Sequence, residues 1–184
     1  MLLIKPYGRE NAVTYAKRWA FSQNPLFGDF REIGGNCTNF VSQCLYAGGC
    51  QMNFTPTFGW YYLTLDERTP SWSGVTYFYN FLMGNTGVGP FGSLCNADEL
   101  QIGDVIQLGK NEGGYYHSLL VTGFSGEEIL VSAQTVDAVD RELSSYTYDF
   151  ARFIRIEGIR IFVKDEADCF TPLLEGKSLF GTGG

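Results

Sequence analysis

One histidine, His117, is all that this chain of 184 residues offers in the way of imidazole, and no CxxC pair occurs among its five cysteines. A zinc site is disfavoured on both counts, since zinc is held by several imidazoles or thiolates at close spacing. Basic residues are short as well. Thirteen Lys and Arg face 20 Asp and Glu, for a net charge of -7. That is the wrong sign for a general basic field that would hold nucleic acid or an anionic membrane surface. No apolar run approaches a membrane span, and the start, MLLIKPYGRENAV, lacks the basic and then apolar stretches of a signal peptide. The expectation is a soluble chain with no visible export and no nucleic acid or membrane partner. Repeats, linkers and low-complexity tracts are also missing, which predicts a single domain over residues 1–184. The glycine-rich piece GNTGVGPFGS has no phosphate-loop pattern and reads as an ordinary loop.

What the chain does have is material to bury: 45% hydrophobic residues, with fifteen Phe and eleven Tyr. The cysteines at 37, 44, 50, 95 and 169 are odd in number and irregular in spacing, in a chain too large to need disulfide staples. At least one thiol stays free, and free thiols favour a reducing cytoplasm. Cys37 and Cys44 cannot bridge if they share a helix, because seven residues of rise separate them by about 10 Å.

Helical spacing marks a first helix from Asn11, with Asn11 as its cap, running toward the stop signal Asn24-Pro25. A second begins essentially at Cys37, where Cys37, Phe40, Val41, Cys44 and Leu45 line one face before Gly48-Gly49. Val75, Phe78, Tyr79 and Leu82 suggest a further short helix. Beyond Leu100 the character turns to strand in DVIQL, HSLLVTG, ILVSAQT and FIRIEGIRIF. Helices first and an antiparallel sheet afterwards make an α+β fold, with N-terminal helices packed on a C-terminal sheet.

The stretch GGNCTNFVSQC places Cys37 where a helix opens. A thiol attacks as thiolate, and the unpaired N–H groups and positive dipole end at a helix start favour that anion. Burial alone would also account for Cys37, which shares its face with Phe40, Val41 and Cys44. Its position and the presence of His117 at the start of a strand favour catalysis. If HSLLVTG and ILVSAQT pair about Ser125-Gly126, Gln134 faces His117 and can orient the imidazole, completing a Cys-His-polar triad. A register change of one offers Thr135 instead, and Asp137 lies just beyond. Trp60, Tyr61 and Tyr62 line either a cleft or the core, and Asp104 in the GD turn is either structural or functional.

These residues match a known pattern. GGNCTNFVSQCLYAGG, the preceding NAVTYAKRWAFSQNP, the WYY and SWSGV pieces, GDVIQL, HSLLVTG and VSAQT together resemble the bacterial putative amidase domain family, over about residues 7–162. The resemblance implies a papain-like cysteine peptidase fold akin to CHAP-type cell-wall amidases, with Cys37 as nucleophile and His117 as general base. It implies a peptide or peptidoglycan stem as substrate, with Asn36, Trp60 and Tyr116 as candidate substrate contacts, no metal and no organic cofactor. Many relatives carry histidine where this sequence has Gln134, which puts the third place of the triad in question, although a glutamine can still orient an imidazole. It also hints at action in the envelope or outside the cell, against the cytoplasmic reading of the cysteines. Rival readings are a binding module that keeps the fold with Cys37 inert, and an acyltransferase using the same nucleophile.

Overall fold

The computed structural model describes residues 1–163 and 168–181. Their order is β1 (Leu3–Lys5), α1 (Arg9–Trp19), α2 (Cys37–Gly49), α3 (Pro70–Ser73), α4 (Val75–Gly84), β2 (Gly89–Cys95), β3 (Val105–Lys110), β4 (Gly114–Ser125), β5 (Glu128–Ala133), β6 (Ala138–Glu142), β7 (Phe150–Ile161) and α5 (Phe170–Leu174). The class is α+β: five helices and one seven-stranded antiparallel sheet among the described residues. None of these helices is long and apolar enough to cross a membrane.

The sheet runs β1-β7-β3-β4-β5-β6, with β2 also pairing β7. Period-two alternation divides its side chains between two cores. Val105, Leu120 and Ile154 join the helical side with Tyr15, Phe40, Val41, Trp60 and Trp72. Ile106, Leu108, Leu119 and Val121 form the opposite core with Val131 and Leu143. By the same alternation Gln107 and Ser118 fall on the helical side, fully buried. They are polar residues in an apolar layer, so they need partners there.

Helix α1 starts at Arg9, two residues before the expected cap, because tertiary contacts hold that end. Asp104, fully buried, accepts from Arg9 Nη1 at 2.7 Å, from the Ile156 N–H at 2.9 Å and from the Gln101 N–H at 2.8 Å. Arg9 donates further to the carbonyls of Ile102 and Ile156. Asp104 is therefore a clamp that joins α1, the entry to β3 and the middle of β7. The two helices then meet closely at Gly48, where a Cβ would lie 2.7 Å from the Gly8 oxygen.

Three expectations need correction. The glycine-rich loop contains strand β2, which pairs β7 with a register shift at Phe91/Gly92. Gly92 lies against the Arg155 carbonyl, where a Cβ would sit at 2.6 Å, so the glycine permits the bulge. The sheet is not confined to the second half, since β1 comes before every helix. Finally, Cys50 and Cys169 form a disulfide across 119 residues, leaving Cys37, Cys44 and Cys95 free. The five-residue α5 has little surface of its own to bury. The bridge holds it to the end of α2, helped by Trp19 Nε1 donating to the Leu174 carbonyl and Tyr46 Oη to that of Leu179. The cysteine count thus gives no argument for a reducing compartment.

Replacing Asp104 with Ala leaves the Arg9 guanidinium and two backbone N–H groups without their acceptor. The expected loss is about 3–5 kcal/mol of unfolding free energy, read as a lower urea midpoint with unchanged slope.

Candidate functional site

The entry to α2 is shaped by backbone that only glycine adopts easily: φ is 133° at Gly34 and 97° at Gly35. Asn36 follows, fully buried, at the position that usually caps a helix. Its side chain does not cap α2. Instead Oδ1 accepts from the Phe30 N–H at 3.1 Å and from Asn39 Nδ2 at 2.8 Å, while Nδ2 donates to Gln134 Oε1 at 2.5 Å. The Asn36 N–H donates to Thr135 Oγ1 at 2.6 Å. The opening turn of α2 therefore has no side-chain cap, and the positive end of the helix falls on Cys37.

Cys37, 6% exposed, and His117, 8% exposed, line the same cavity of about 390 Å³. Gly34, Gly35, Thr135, Tyr116, Arg141 and Tyr146 line it as well. His117 sits on β4 opposite Leu108 of β3, with its ring between those of Tyr116 and Tyr146 at centroid distances of 6.1 and 6.0 Å. Desolvation by burial, reinforced by the Arg141 charge, lowers its pKa from 6.5 to about 4. The imidazole is thus neutral near pH 7 and able to accept a proton. Arg141 lies 3.9 Å over the Tyr146 ring and bonds Ser145. The Tyr146 hydroxyl is buried; burial raises its pKa, and the neighbouring Arg141 acts in the opposite direction.

The orienting position expected of Gln134 is empty of Gln134. Leu120 pairs with Ser132 and Val121 with Val131, one residue off the expected register: the hairpin turns at Gly126-Glu127, with Ser125 opposite Glu128, which is two residues off, and an extra residue of β4 at Thr122 takes one of them back. The Thr122 hydroxyl secures the bulge by bonding Ser132 Oγ and Asp140 Oδ1. The Gln134 amide is fully taken up elsewhere: Oε1 by Asn36, Nε2 by the carbonyls of Trp19 and Ser22. Thr135 does reach the cavity, at a φ of 92° that is rare for a β-branched residue, but its hydroxyl oxygen is held by Asn36. Asp137 pairs with Arg31 at the surface. Among the described residues no hydrogen bond orients His117, and ring contacts hold it.

Of the candidate substrate contacts, Tyr116 stands at the cavity, 45% exposed. Trp60 is fully buried core, with its indole N–H on Ser42 Oγ and its ring 4.7 Å from that of Trp72. Asn36 is a frame residue with its amide saturated. Arg141 and Tyr146 are additions that no sequence pattern announced, since they come from a short half-exposed strand and the turn after it. A larger cavity of about 620 Å³, near Asn53, Phe58 and Tyr77, contains neither the cysteine nor the histidine and has no charged side chain on its walls.

Residues 6–156 match the model of a family described as a putative amidase domain. The uncharacterized protein YhbB of Bacillus subtilis (strain 168) is 34% identical over 137 residues, which are 72% of this chain and 42% of that relative. The chain thus spans less than half the length of the relative it matches. No solved structure matches the chain.

Asn36→Ala would strand the Gln134 oxygen, the Phe30 N–H and the Asn39 amide in a dry interior. A loss of at least about 3 kcal/mol is expected in chemical unfolding, since each buried unpaired group costs about 1–3 kcal/mol.

Proposed function

The chain belongs to the putative amidase domain family, and we propose that it hydrolyses amide bonds through a Cys37 thioester, with His117 as general base. One observation carries this reading: a cysteine at an uncapped helix start shares a cavity with the chain's single histidine. Cys37 Sγ attacks the amide carbonyl carbon while neutral His117 takes the thiol proton. The imidazolium returns that proton to the leaving nitrogen, the amine departs, and a thioester remains. Water, deprotonated by His117, then releases the carboxylic acid and restores the thiol. Developing charge on the carbonyl oxygen is met by the Cys37 N–H.

In this reading the fold is a papain-like arrangement akin to CHAP-type amidases, with the nucleophile at a helix start and the base on an antiparallel sheet. The substrate is a peptide or peptidoglycan stem. Arg141 supports that choice, since its guanidinium stands at the cavity where it can meet a carboxylate of such a peptide.

Cys37→Ala and His117→Ala are each expected to cut kcat/KM on a peptide amide at least about a thousandfold, with circular dichroism unchanged. Full activity in Cys37→Ala would overturn the reading. Because the base works neutral and its pKa is about 4, the acid limb of kcat/KM falls near pH 4. Burial is the larger cause of that depression; Arg141→Gln removes the lesser, cationic one and moves the limb part of the way to higher pH. The same depressed pKa makes the His117 contribution to stability present above its unfolded value of about 6.5 and lost as pH falls through about 4, a window that unfolding at stepped pH would detect.

A further inference from the structure

The buried polar residues beneath α2 form a chain that ends on the sulfur. Arg152, clasped between the rings of Tyr79 and Tyr115 at 3.5 and 3.7 Å, donates from Nε at 2.8 Å and from Nη2 at 2.5 Å to Gln107 Oε1. Arginine has no acceptor, so these contacts identify the amide oxygen of Gln107 and fix which way the amide faces. Gln107 Nε2 then points at the Val75 carbonyl and at Ser118 Oγ, both at 3.0 Å, and gives one hydrogen to each. Ser118 Oγ, having accepted, sends its own hydrogen to Thr38 Oγ1 at 2.9 Å. Thr38 accepts in turn, which leaves its hydroxyl hydrogen for its other contact, Cys37 Sγ at 3.8 Å. Gln107, Ser118 and Thr38 are all fully buried, so bulk water does not compete for these hydrogens.

We propose that this one-directional relay, Arg152 to Gln107 to Ser118 to Thr38, stabilises the Cys37 thiolate by presenting it with a hydroxyl donor whose polarity is set some distance away. The proposal rests on the reading of Cys37 as nucleophile. Thr38 touches the reacting atom, whereas Ser118, Gln107 and Arg152 are positioning residues. Were the amide reversed, Ser118 would donate to Gln107 and Thr38 would donate to Ser118. Thr38 could then only accept from a protonated thiol, and the neutral form would be favoured. The orientation of one amide therefore selects which protonation state of the sulfur is welcomed. A hydrogen bond to an anion is among the stronger ones, and in a dry site it favours the charged form directly.

The test is the pH profile of iodoacetamide alkylation at Cys37, resolved by mass spectrometry, for the parent chain and for Thr38→Val, Thr38→Ser and Arg152→Met. Thr38→Val keeps the shape and removes the donor. It is expected to raise the titration midpoint and slow alkylation about tenfold at pH values below that midpoint. Thr38→Ser restores the parental profile, and Arg152→Met shifts it in the direction of Thr38→Val by less. A parental midpoint that stays low and unchanged in Thr38→Val overturns the relay while leaving the nucleophile reading intact. Thr38→Ser behaving like Thr38→Val assigns the effect to packing and also overturns it, and an unmoved Arg152→Met overturns the remote part. A parent whose Cys37 titrates like an ordinary thiol defeats the nucleophile reading, and the relay with it.

Discussion

The Asn36 carboxamide joins the first turn of α2 to the end of β5 and, through Gln134, to the carbonyls that close α1. Without this joint the helix that carries Cys37 and the sheet that carries His117 would rely on apolar packing, which is indifferent to small rotations about the helix axis, and on the Thr38–Ser118 contact. Directional bonds to buried partners remove that freedom. The joint also explains why α2 starts bare. A residue type that ordinarily satisfies helix N–H groups has its side chain turned to the sheet, so the amides at the opening are left facing the cavity. The unusual backbone nearby belongs to the same arrangement. Gly34, Gly35 and Thr135 all have positive φ, and the Thr135 conformation is held by the bond from the Asn36 N–H.

Cys37 and His117 are treated in opposite ways by their surroundings. His117 is pushed toward its neutral form by burial and by a cation, while the sulfur has a hydroxyl contact and a helix start beside it. A site built so does not invest in a resting ion pair. It keeps the imidazole neutral and places local donors, rather than a charged partner, beside the sulfur.

How much of this could be read from residues alone depended on range. The start of α2 at Cys37 was legible because the glycines and the apolar spacing of Phe40, Val41 and Cys44 are local signals. The strands of the second half were legible because β-branched runs between turn residues leave few alternatives. The third position beside His117 was not, because the hairpin turns one residue later than Ser125-Gly126 and an extra residue at Thr122 then shifts the pairing again, and such shifts leave almost no mark in composition. Strand β2 was hidden by glycines that serve its irregularity, and the Cys50–Cys169 bridge by a separation over which sequence carries no distance information. Arg141 and Tyr146 reach the cavity only through topology. The hydrogen bonds that make Asn36 a joint run to Phe30, Asn39, Gln134 and Thr135, the last two far from it in sequence, so no local pattern announces them.

Helix α2 carries sulfur chemistry of two kinds, a free thiol at its first residue and half of a disulfide just past its last. Thirteen residues of helix hold these ends about 20 Å apart, and a helix cannot fold back on itself to bring them together. Cys44, between them, is fully buried and its thiol pKa is raised well above normal by desolvation, so it is a poor go-between. The rod therefore acts as a redox insulator: disulfide shuffling within the chain has no short path from the bridge to Cys37, and an oxidising medium that maintains the one bond need not consume the other thiol.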